Sequence, residues 1–134
     1  MTCEFDKIEG RLAHHPLTVE GQQFADTVHQ ALVGLMLERK VSVQNVADRM
    51  RIPLYTFRRN MKGHFGIQPA RYLMHIRLRE SLSMLREYPK HSVSEIALAC
   101  GFYDKVHFTH TFVQQFGMSP INYIQTYFPG SDSQ

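Results

Sequence analysis

Apolar residues return every three or four positions over most of the chain. Phe24, Val28, Leu32, Leu35 and Met36 form one such stripe, the mark of an amphipathic helix. Arg39 and Lys40 place cations near its end, where the helix dipole favours them. Ser42 reads as an N-cap for a short helix carrying Val43, Val46, Ala47 and Met50. Pro53 opens the next helix, where its missing N–H costs nothing; Phe57, Met61 and Phe65 form its inner face and Gly66 ends it. Pro69 begins a longer helix reaching Glu87, with Leu78, Leu82 and Leu85 inward, and Pro89 closes it. Ser92 or Ser94 caps a helix with Ile96, Ala97 and Cys100, and Gly101 supplies a turn. Phe108, Phe112 and Phe116 stripe a further helix to Gly117, and Ser119-Pro120 starts a last one holding Tyr123 and Ile124. Residues 1–17 show no convincing period, with His14-His15-Pro16 reading as loop, and 129–134 read as a frayed polar tail. No segment alternates with period two, so the chain reads as all-α.

The pattern repeats. Ser42-Val43, Val46-Ala47 and Met50 return fifty positions later as Ser92-Val93, Ile96-Ala97 and Cys100. With one residue inserted, Phe57, Met61, Phe65, Gly66, Pro69 and Tyr72 return as Phe108, Phe112, Phe116, Gly117, Pro120 and Tyr123. Each copy is a short capped helix, a tight turn and a second helix, the plan of a helix-turn-helix. Two helical hairpins that merely pack together have the same periodicity.

Composition narrows the class. The chain has 134 residues, of which 43% are apolar and 20% charged, a globular balance. It contains no apolar run near the ~18 residues of a membrane span, and no basic, apolar leader follows Met1. Cys3 and Cys100 are the only cysteines, too few for a disulfide framework, so a reducing cytoplasm is the expected location. The net charge of +3 is unevenly spread: residues 51–90 carry +7, and the segments on either side carry −2 each. A basic middle suits a polyanion, nucleic acid before membrane.

The run Ser94-Glu95-Ile96-Ala97-Leu98-Ala99-Cys100-Gly101-Phe102, followed by His107-Phe108-Thr109, Phe112, Phe116-Gly117 and Ser119-Pro120, resembles the C-terminal signature of the AraC/XylS family of bacterial transcription regulators. Ala47, Phe57-Arg58-Arg59, Phe65-Gly66, Tyr72 and Arg77-Leu78 resemble its first half. The resemblance covers about residues 24–127. It implies seven helices forming two helix-turn-helix subdomains, here 18–68 and 89–128, joined by a long linker helix over 69–88. It also implies that a monomer places two recognition helices in successive major grooves of double-stranded DNA, most often as an activator. The short length is similar to the stand-alone MarA/SoxS type; the detached DNA-binding domain of a longer sensor-regulator is the other arrangement. A linker helix of about 18 residues is ~27 Å long, which suits two reading helices one DNA turn, ~34 Å, apart.

With Phe57 and Met61 inward, Tyr55, Thr56, Arg58, Arg59 and Lys62 face out. Arginine reads guanine O6 and N7 in a bidentate fashion, so Arg58 and Arg59 are base-reading candidates, and the family pattern adds Tyr55. In the second copy Lys105, Val106, His107, Thr109 and His110 face out. His110 stands where the family usually has arginine, so this half is expected to grip more weakly. His107 and His110 would tighten binding below about pH 6.5, although a structural, capping role suits His107 better. Ser42, Lys62, Arg71, Arg79, Ser92 and Ser94 are phosphate candidates. Arg77 matches a family position that serves the fold through a buried ion pair. In the first turn Arg51 stands where the second copy has Gly101, at a cost of ~1–2 kcal/mol if the left-handed geometry is kept. Gly63 is a further local weakness, ~1 kcal/mol against alanine in a helix interior.

Other chemistry is thinly supported. His107 and His110 with Cys100 upstream lack a second ligand pair, so no metal is expected. No phosphate-cradling loop or nucleophile elbow is present; neither an enzyme nor a cofactor is implied. A regulator working mainly through protein contacts, to RNA polymerase or another partner, is the alternative of a different class.

Overall fold

The computed structural model describes residues 4–14, 17–38, 40–87 and 90–128, and all of its regular structure is helical. The elements are α1 (Glu4–His14), α2 (Val19–Glu38), α3 (Val43–Arg49), α4 (Leu54–His64), α5 (Pro69–Glu87), α6 (Val93–Ala99), α7 (Lys105–Phe116) and α8 (Pro120–Tyr127). The all-α expectation holds, with eight helices among the described residues against the seven expected.

The additional helix is α1, which corrects the reading of 1–17 as irregular. Its apolar stripe is short, Phe5, Ile8 and Leu12, yet Phe5 and Ile8 are buried. Polar contacts complete the anchorage. Glu4 pairs with Arg71 at 2.9 Å, and Glu9 meets Nε2 of His75 at 2.7 Å, whose ring lies 4.4 Å from that of Phe5. His15, Pro16, Pro89 and the tail 129–134 lie outside the described residues.

The chain divides into two compact units, residues 1–75 and 76–134. The division falls within α5, the helix expected as the linker over 69–88. In the first unit Val28, Leu32, Val46, Ala47, Phe57 and Met61 are sealed from solvent, and Phe65 stacks on Tyr72 at 4.8 Å. In the second unit Ile96, Ala97, Cys100, Phe102, Phe108 and Phe112 are sealed in the same way. Burial pushes the Cys100 thiol up to about 12, the behaviour of a small core residue. Arg77 also belongs to this core. Its guanidinium lies over the Phe102 ring at 4.3 Å and donates to the main-chain carbonyls of Cys100 and Gly101 at 3.2 and 2.5 Å. Arg77 is therefore buried as expected, but carbonyls take the place of the expected carboxylate: among the described residues it forms no ion pair.

Candidate nucleic-acid interface

The sequence repeat is also a geometric one. The Ser42 hydroxyl accepts from the N–H of Asn45, and the Ser92 hydroxyl accepts from that of Glu95, so a serine caps the first helix of each copy. The turns then match bond for bond. Arg51 and Ile52 donate to Asp48 and Ala47 at 3.0 and 3.1 Å; Gly101 and Phe102 donate to Leu98 and Ala97 at 3.1 and 2.9 Å. Arg51 has φ 61° and Gly101 φ 82°, so the first copy holds a left-handed turn without glycine. Arg51→Gly is expected to stabilise the first unit by about 1 kcal/mol, read as a higher denaturant midpoint at unchanged slope.

The inserted residue falls at Tyr103-Asp104. It gives α7 a side-chain cap, Asp104 accepting from the N–H of His107 at 2.8 Å, whereas Pro53 before α4 offers none. It also turns Tyr103 outward, 84% exposed. Sequence reasoning missed Tyr103 as a surface residue, and the inserted position was the available signal. His107 does serve structure: its Nδ1 accepts from the Tyr103 N–H at 3.4 Å, and its ring meets Phe102 edge-on. Gly63 falls in the last turn of α4, exposed, where it weakens the helix less than in an interior.

Burying Phe57 and Met61 leaves two adjacent stripes on the outside of α4. Tyr55 and Arg59 form one, with the Arg59 guanidinium donating to the Tyr55 hydroxyl at 3.0 Å and lying 5.2 Å from the ring centre. Arg58 and Lys62 form the other, one turn apart, both lining a groove of about 580 Å³ that also includes Val43, Gly66, Gln68 and Pro69. Thr56 lies half-buried beside them. The two arginines are therefore differently placed: Arg59 is braced by an aromatic ring on the crest of the helix, and Arg58 leans toward the groove.

The outer face of α7 carries Lys105, Val106, His107 and His110, all exposed, with Thr109 half-buried. Position for position, Arg58, Arg59 and Lys62 become Thr109, His110 and Val113. At these three positions the second copy loses the cations, leaving Lys105 in the first turn of α7. His110→Arg is expected to tighten DNA binding and to steepen its salt dependence by about one unit of log K per log salt, measured by anisotropy titration.

The phosphate candidates are more dispersed. Ser42, Ser92 and Ser94 are exposed at the starts of α3 and α6. The α6 start is already engaged: Glu95 accepts from the Ser92 N–H at 2.9 Å while Ser92 caps Glu95, and these bonds hold the Glu95 carboxyl below its ordinary value. Arg71 and Arg79 are exposed on α5, Arg71 with Glu4 beside it. Among the described residues no three His, Cys, Asp or Glu side chains gather as metal ligands, and no helix is long and apolar enough to cross a membrane.

A capped helix, a tight turn and an outward-facing second helix, present twice, define a tandem helix-turn-helix domain. A family model described as a helix-turn-helix domain matches residues 46–126. The transcriptional activator RhaS of Escherichia fergusonii is 42% identical over 80 residues, 60% of this chain and 28% of RhaS. That of Salmonella arizonae is 41% identical over 81 residues, 60% of this chain and 29% of RhaS. The chain thus matches little more than a quarter of the length of these relatives. The DNA-binding domain of the transcriptional factor AdpA, solved in complex with a target DNA, is similar in structure with a TM-score of 0.66 at 28% identity, covering 79% of this chain and 96% of that one. A regulator from Chromobacterium violaceum with an AraC-type DNA-binding domain gives 0.58 at 25% identity, covering 79% and 97%. The chain belongs to the AraC-type helix-turn-helix family, a family of DNA-binding transcription regulators.

Proposed function

We propose that this chain is a sequence-specific, double-stranded-DNA-binding transcription regulator in which α4 and α7 each present their outer face to a major groove. The observation that carries this reading is the exposed face of α4, where a tyrosine-braced arginine at Arg59 stands beside a second cationic stripe at Arg58 and Lys62. A fork of donors held on a rigid helix matches the O6/N7 edge of guanine, and the flanking cations match backbone phosphates. Arg59 with Tyr55 forms the base-reading centre of the first unit. Thr56 and Arg58 flank it, and Lys105, Val106, Thr109 and His110, set by the cap at Asp104 and His107, form the reading face of the second. Ser42, Ser94, Arg71 and Arg79 are secondary backbone contacts, and Ser92 is the weakest of these because Glu95 already occupies its N–H. The regulator acts in the cytoplasm at the bacterial nucleoid, binds as a monomer, and activates transcription by touching RNA polymerase; RhaS, with which it shares sequence, is a transcriptional activator.

Selection from a random duplex pool tests this reading. The expected result is one enriched motif, with its most constrained positions under the first unit and a length of two half-sites if both units engage. A pool that returns no motif, with binding equal on all sequences, contradicts it.

A second reading, action mainly through protein contacts, draws on the cation-poor face of α7 and the turn before it, where Val106, Val113 and Tyr103 are exposed at 74, 41 and 84%. It predicts that promoter output survives loss of both Arg58 and Arg59.

A further inference from the structure

Arg11 is a cation outside the repeat and outside the family match. Arg11 lies on α1, and its guanidinium rests against the main chain at Gly66: a Cβ built on Gly66 would meet its Nη2 at 2.8 Å and its Cζ at 3.3 Å. Gly66 has φ +65°, and its lack of a side chain leaves that space. The same Gly66 lines the groove to which Arg58 and Lys62 contribute. Gly66 thus links two elements distant in sequence: the Arg11 guanidinium of α1 lies against it, and Arg58 and Lys62 of α4 line the groove that it borders.

Arg11, Arg58 and Lys62 are all exposed, and among the described residues none of the three takes part in an ion pair. The contrast lies within α1 itself, where Glu4 is committed to Arg71 at 2.9 Å while Arg11 is directed to the groove edge without a carboxylate. Like charges gathered in an open groove and at its Gly66 edge repel one another, and a bound oxyanion relieves that repulsion while accepting their N–H donors. The groove borders the Arg58–Lys62 side of α4, one stripe away from Tyr55 and Arg59. A strand flanking a major groove entered by α4 would run along that side.

We propose that Arg11 is a DNA-backbone contact supplied by α1, gripping a phosphodiester together with Lys62 and Arg58 in the groove beside Gly66. This rests on the reading of α4 as a recognition helix and adds a positioning residue to it. The consequence is functional: α1 is part of the DNA-binding surface, and the phosphate grip fixes the register in which Arg59 and Tyr55 meet the bases.

The test uses the full chain and a fluorescein-labelled duplex of random sequence, roughly three helical turns long, titrated over a series of potassium chloride concentrations. Arg11→Gln is expected to lower affinity several-fold and to reduce the slope of log K against log salt by about one, with the thermal midpoint unchanged and the slope restored by Arg11→Lys. An unchanged slope overturns the proposal, as does a reduced slope that comes with a lowered midpoint and is not restored by lysine. A second measurement avoids any variant: phenylglyoxal labelling of Arg11 in the wild-type chain, read by mass spectrometry, is expected to be suppressed by the duplex, and undiminished labelling overturns the proposal. Arg58→Ala/Arg59→Ala runs in parallel. If that variant loses binding while Arg11→Gln keeps the full slope, only the α1 contact fails; if it binds like wild type, the reading of α4 fails as well.

Discussion

Alanine at both Arg58 and Arg59 is expected to weaken binding to a selected duplex about 100-fold with the fold intact. The magnitude follows from ~1–3 kcal/mol for a bidentate base contact, together with one phosphate contact. Both side chains are exposed, so their removal opens no cavity, and the core residues Phe57 and Met61 on the same helix are untouched. The single variants are expected to differ in kind. Arg59→Ala relaxes base preference at one position, because the arginine braced on Tyr55 is the one on the crest of α4. Arg58→Ala lowers affinity for selected and random duplexes alike and reduces the salt slope by about one, because Arg58 shares the groove with Lys62. Competition titrations with selected and random duplexes measure both effects, and promoter output in cells separates DNA binding from action through protein contacts.

The second large effect is on stability. Arg77→Ala is expected to destabilise the second unit by about 3 kcal/mol, the loss of charge-assisted hydrogen bonds to two carbonyls that are then left poorly satisfied. Arg77 is only 8% exposed, and burial pulls its guanidinium below the ordinary value. That cost is balanced by the carbonyls of Cys100 and Gly101 and by the face of Phe102. These partners form the tight turn between α6 and α7, so Arg77 fixes the angle between those two helices. Lysine is expected to recover only part of the loss, since a single ammonium cannot fork to two carbonyls and stack on a ring together. A fall in denaturant midpoint, with amide exchange accelerated mainly in α6 and α7, checks this.

Much of this was legible from the residues because the fold states its pattern twice. The stripe Phe57, Met61, Phe65 and its copy Phe108, Phe112, Phe116 locate two helices and their inner faces, and the inner faces leave the outer ones by elimination. Ser42 and Ser92 announce the caps, and the alignment of Arg51 with Gly101 foretells the left-handed turn at φ 61°. Three features were not legible, for physical reasons. The α1 helix has only three apolar residues on its stripe, and its anchorage comes from pairs such as Glu9–His75 that join residues far apart in sequence. Arg77 could be placed inside from the family pattern, but which oxygens face it depends on how the α6–α7 turn folds back. Arg58 and Arg59 are neighbours of the same type, and only the three-dimensional surroundings, a tyrosine ring for one and a groove for the other, set them apart.

Methylation interference at guanine N7 across the selected site tests the central claim most directly, since N7 lies in the major groove and a methyl group there blocks a donor arriving from it. The prediction is strong interference at one or more guanines with wild-type protein, lost at the same guanines with Arg59→Ala. No interference at any guanine N7, or interference unchanged by Arg59→Ala, would mean that the outer face of α4 does not enter the major groove.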